Sequence, residues 1–86
     1  GSHKQTMIEV DTRDRLGLLY DITNTLFRNQ ITIRSAVIAT YGEQAVDTFY
    51  VNDLFGEKIT SSQKLEQVRK ELLFYLEKHF KQALKD

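Results

Sequence analysis

Nine consecutive residues, Asp11-Thr-Arg-Asp-Arg-Leu-Gly-Leu-Leu19, hold the densest set of groups able to do chemistry: two acids, two arginines and a glycine. A short alternating segment ends at Asp11, and residues with helical spacing begin at Gly17 or Leu18. A helix entered from a short loop leaves its first N–H groups without intrahelical acceptors, and they favour a negative charge together with the helix dipole. Gly17 can adopt backbone angles that a residue with a Cβ resists. The stretch is therefore where a small anionic or zwitterionic ligand is expected. The same residues also fit a plainer role, in which Asp14 caps the helix and Gly17 makes a tight connection.

The flanking elements must position that loop. Ile8 and Val10 alternate in Thr6-Met-Ile-Glu-Val-Asp11, which predicts a short strand. From Leu18 the period changes. Leu18, Leu19, Ile22, Leu26 and Phe27 form an apolar stripe, with Asp21, Asn24, Arg28 and Asn29 off it, so a helix is expected to end near Asn29 or Gln30. Residues 31–40 are rich in β-branched side chains and read as a strand with Ile31, Ile33, Ser35, Val37 and Ala39 on one face. Gly42 breaks it, and a hairpin leads to a strand over 45–53, where Ala45, Asp47, Phe49 and Val51 share one face and Val46, Thr48 and Tyr50 the other. Ser61 or Ser62 offers a cap for a long helix with Leu65, Val68, Leu72, Leu76 and Phe80 along its buried stripe, widened by Leu73, Phe74 and Tyr75.

Strand, helix, strand, strand, helix is the beginning of a split β-α-β-β-α-β unit. The expected fold is α+β, ferredoxin-like, with an antiparallel sheet and both helices on one face. Ala83 and Leu84 continue the helical stripe, so the final strand is expected to be absent or vestigial.

Composition narrows the chemistry. Eighty-six residues allow one domain, and Gly1-Ser2-His3 reads as an expression scar, leaving 4–86 as the domain proper. Twelve basic and twelve acidic residues cancel, which removes the main affinity term of a nucleic-acid binder. Phe49 and Tyr50 point to opposite faces of their strand, so only one could stack a base. There is no cysteine for thiolate chemistry or metal ligation. His79 is the one histidine outside the scar and is expected in solvent, and no nucleophile elbow or calcium-loop spacing occurs. Neither a membrane-spanning run nor a signal peptide is visible, which fits a cytoplasmic protein.

Asp14-Arg15-Leu16-Gly17-Leu18-Leu19 resembles the Asp-Arg-Pro-Gly-Leu-Leu signature that opens the first helix of ACT domains. With Ile38-Ala-Thr-Tyr-Gly-Glu-Gln-Ala-Val-Asp-Thr-Phe-Tyr-Val51 and Asp53-Leu-Phe-Gly-Glu-Lys-Ile59, residues 6–76 are similar to the C-terminal ACT domain of bacterial PII uridylyltransferase/uridylyl-removing enzymes. The resemblance implies a non-catalytic regulatory module. Its effector would be an amino acid, glutamine first, bound at Asp14 to Leu19 with Asp11, and no cofactor or metal is implied. Its partners would be a neighbouring ACT domain or a second copy, with the PII protein met only through the parent enzyme, and neither nucleic acid nor membrane. The alternative is a docking module that binds nothing small. Leu16 departs from the usual proline, restoring an N–H and freeing the loop backbone.

Overall fold

A computed structural model describes residues 4–85, with side chains through Glu77. Residues 1–3, read above as an expression scar, and His79 and Phe80 thus fall outside the described side chains. The elements are β1 (Thr6–Arg13), α1 (Leu18–Arg28), β2 (Ile31–Tyr41), β3 (Gln44–Asp53) and α2 (Ser62–Lys85). They build one antiparallel sheet in the order β1-β3-β2 with the helices packed on one face. Helix α2 continues to Lys85, so among the described residues no fourth strand follows it.

The hairpin between β2 and β3 turns through two residues, with Tyr41 opposite Gln44. Gly42 has φ 63°, and a positive φ at the first turn position suits the right-handed twist of the flanking strands. Strand β3 supplies the centre of the core. Ala45, Phe49 and Val51 are buried from its helix-facing side beneath Leu18, Ile22 and Leu26 of α1 and Val68 and Leu72 of α2. Tyr50 lies on the opposite face. Phe49 is therefore a core residue and unable to stack a base.

Three expectations about side-chain direction are corrected. First, β2 does not keep one face throughout. Ile33 pairs with Val51 but Ser35 with Tyr50, so Arg34 is the extra residue of a β-bulge. Beyond it Ala36, Ile38 and Thr40 stand opposite Phe49, Asp47 and Ala45, and Ser35, Val37 and Ala39 turn to the far face. Second, Leu19 and Phe27 are exposed although they adjoin the apolar stripe of α1. A three-stranded sheet contacts a narrower arc of the helix, and Thr25 occupies the buried position between Ile22 and Asn29. Third, Leu73 and Phe74 are exposed, because α2 meets the core through the narrower row of Val68 and Leu72, with Leu65 and Leu76 packed beside it.

Polar groups close the remaining gaps. Asn29, expected on the surface, is buried and donates from Nδ2 to the Thr25 carbonyl, while its Oδ1 accepts from Gln67 on α2. Thr6 Oγ1 donates to the Ile59 carbonyl at 3.0 Å and accepts from the Ile59 N–H at 2.8 Å, pinning the loop before α2 to β1. Ser61 caps α2, its Oγ accepting from Lys64 N–H.

Candidate functional site: the junction of the first strand and helix

The loop between β1 and α1 is held from three sides. Asp14 N–H donates to the Glu43 carbonyl at 2.8 Å, tying the loop to the hairpin tip. Arg15 folds back over the helix start, donating from Nη2 to Asp21 Oδ2 at 2.7 Å and from Nη1 to the Leu16 carbonyl at 3.2 Å. Leu18 is buried at 4% exposure and anchors the far end. Leu16 projects outward, 97% exposed.

Gly17 is the N-cap, with φ 81° and ψ −1°, and no side chain caps the helix. Asp14 therefore does not play the capping role that its position before a helix allowed. A left-handed N-cap without a side-chain acceptor leaves first-turn amides unanswered. Leu18 N–H reaches the Arg15 carbonyl and Asp21 N–H the Gly17 carbonyl, but Leu19 and Tyr20 N–H meet no backbone acceptor among the described residues. The donors available to an anion are thus one residue further along than the Leu18 and Leu19 pair expected from the sequence.

These amides lie beside an open hollow of about 360 Å³. Asp14, Arg15, Leu16, Gly17, Leu18, Leu19 and Tyr20 wall it on the loop side, and Ile38, Thr40, Ala45 and Asp47 on the sheet side. The volume falls in the range of small-molecule sites, roughly 300–1,000 Å³. Six of the seven site residues read from the sequence meet here. Asp11 is the seventh. It stands outside this lining, on the sheet face away from α1, where its Oδ1 accepts from Gln44 Nε2 at 2.6 Å. Asp47 was absent from the sequence-derived site, although its place on an otherwise apolar strand face carried the signal. A second hollow, largely apolar, lies between α1 and the start of β2, and Tyr20 borders both. Among the described residues no three His, Cys, Asp or Glu side chains gather to hold a metal, and no helix is long and apolar enough to cross a membrane.

An antiparallel sheet under two helices, with a walled hollow at the first strand–helix junction, defines the α+β sandwich of an ACT domain. A family model described as the ACR family N-terminal ACT domain matches residues 1–78, and the chain belongs to that family. It is 60% identical over 72 residues to a bifunctional uridylyltransferase/uridylyl-removing enzyme of Cereibacter sphaeroides, covering 84% of this chain and 8% of the relative. Against the enzyme of the same name from Azospirillum brasilense it is 53% identical over 75 residues, covering 87% and 8%. The chain thus spans about a twelfth of the length of these relatives.

Proposed function

We propose that residues 4–86 form one regulatory ACT domain of a uridylyltransferase/uridylyl-removing enzyme and that the hollow at the β1–α1 junction binds an amino-acid effector, glutamine. The observation that carries this reading is the pair of amides at Leu19 and Tyr20, without backbone acceptors among the described residues and borne by residues that line a walled space at the start of a helix entered through left-handed Gly17. An α-carboxylate would accept from those N–H groups, and the helix dipole adds to the attraction. Arg15 is engaged with Asp21 and serves to hold the loop, while Asp14 remains on the wall with an exposed side chain. The domain does no chemistry of its own in this reading. It acts in the cytoplasm by reporting effector occupancy to its neighbours, a second ACT domain or another copy, and reaches the PII protein only through the parent enzyme.

A docking module without a small ligand is the competing reading, favoured by the exposed apolar side chains of Tyr20 and Phe27 on α1. Titration of ¹⁵N-labelled chain with glutamine separates the two. Millimolar affinity, about −4 kcal/mol, with shifts centred on residues 14–20, supports the effector site. Shifts confined to regions remote from the hollow, or none, favour the docking module.

A further inference from the structure

The helix-facing side of β3 runs Ala45, Asp47, Phe49, Val51, at 2%, 3%, 1% and 0% exposure. Three of the four are what a core requires. The second is a carboxylate, and burying one is costly unless hydrogen bonds or a counter-charge replace its water. Asp47 has little of either. None of the ion pairs among the described residues includes it. Its one hydrogen bond among the described residues is Ala39 N–H to Oδ1 at 3.3 Å, long for an amide donor.

Oδ2 makes no hydrogen bond, yet among the described residues no fully occluded side-chain oxygen or nitrogen lacks a partner. Oδ2 therefore keeps contact with open space. Asp47 lines the hollow at the β1–α1 junction, across from the start of α1. Residues lining the space thus offer two free amides that attract an anion and an acid with spare acceptor capacity that attracts a cationic donor. A group with three N–H bonds on a single positive centre matches that acid, and an α-amino acid carries such an ammonium one carbon away from its carboxylate.

We propose that Asp47 is the ammonium-recognising residue of this site, selecting α-amino acids over acids that lack the amine. The inference rests on the effector site proposed above and adds its specificity. The loop side binds the carboxylate, and the sheet side reads whether an amine accompanies it. In that complex Asp47 exchanges an unfilled lone pair for a charge-assisted hydrogen bond, whereas an acid without the amine leaves two negative groups facing each other.

The 86-residue chain, titrated by NMR with L-glutamine and with glutaramate, its analogue lacking the amine, tests this. The parent chain is expected to bind glutaramate about tenfold or more weakly than glutamine, the scale of one hydrogen bond to a charged group. Asp47→Asn, nearly isosteric, is expected to lose about tenfold for glutamine and to bind glutaramate at least as well as the parent does, because the facing negative charge is gone. Asp47→Asn binding glutamine as the parent does, or losing both ligands alike, overturns the assignment. Should the variant fail to fold, the parent's preference decides: equal affinity for both compounds overturns it. Binding without that preference leaves the effector site standing and removes only Asp47. No binding of either compound to the parent refutes the effector site itself, and this inference falls with it.

Discussion

Replacing Gly17 by alanine isolates the backbone conformation on which the helix start depends. With φ at 81°, an L side chain is placed in the left-handed region, which costs roughly 1–2 kcal/mol. Crowding adds little, because a Cβ built on Gly17 lies 3.7 Å from Arg15 Nη1, an ordinary contact with the end of a flexible side chain. Alanine also removes freedom from the unfolded chain, which offsets about 0.4–1 kcal/mol. The net expectation is a loss of about 1 kcal/mol, or a melting temperature lower by roughly 4–8 °C in a domain of this size. Thermal melts followed by circular dichroism measure it. Gly56→Ala is the control: its φ is 79° with nothing within 4 Å of the added Cβ, so it should lose a similar amount. Gly17→Asn should fall between parent and alanine, since asparagine tolerates the left-handed region better. A Gly17→Ala chain that melts with the parent while Gly56→Ala drops would refute the strain argument.

Three further outcomes are expected. Gln30 stands just past the end of α1 at φ 60°, so Gln30→Gly should stabilise the chain by about 1 kcal/mol, read as a higher urea midpoint at unchanged slope. Thr6→Val removes a hydroxyl that both donates to and accepts from Ile59 and strands those groups, costing roughly 1–3 kcal/mol, with hydrogen exchange at the Ile59 amide accelerating first. Both β1 and β2 are sheet edges with unpaired backbone groups, so light scattering at high micromolar concentration should give a mass above 10.0 kDa, and Val37→Lys should lower it if β2 is the contact. A clean monomer mass for the parent would mean that both edges are protected.

The order of elements could be read from the sequence because each is announced locally. Ile8 and Val10 alternate, Leu18, Ile22 and Leu26 recur at helical spacing, and Gly42 marks the hairpin. What escaped depends on partners distant in sequence. The bulge at Arg34 has no residue signature, since Ile, Arg, Ser and Ala suit a regular strand equally well, and only the pairing to β3 reveals the slip. The exposure of Leu19 and Phe27 follows from how little sheet there is to cover. At the junction, glycine and the helix start were legible from residue types. The free amides shifted by one residue because the Leu18 N–H turns back to the Arg15 carbonyl, a bond between backbone atoms that composition does not encode. Asp47 was visible as an acid on the strand face it shares with Ala45, Phe49 and Val51, all of them core, but nothing local in the sequence says that the loop after β1 reaches it.

The strand order has a consequence in time. β2 finds β3 across a two-residue turn, so that hairpin closes on the microsecond scale of local structure. β1 must instead bring Thr6 to Val51, and it lies on the central strand's other side only after the intervening helix and hairpin exist. The hollow has one wall on the loop that leaves β1 and the other on the hairpin. Its two walls therefore meet late in folding and part when β1 detaches. An occupant bridging them would slow that detachment, so the cavity's ligand would act as the clasp on the chain's last-formed seam. Native-state hydrogen exchange reads this as protection gained along Thr6–Arg13, running from Val10, the cross-strand neighbour of Asp47, back to the strand's start.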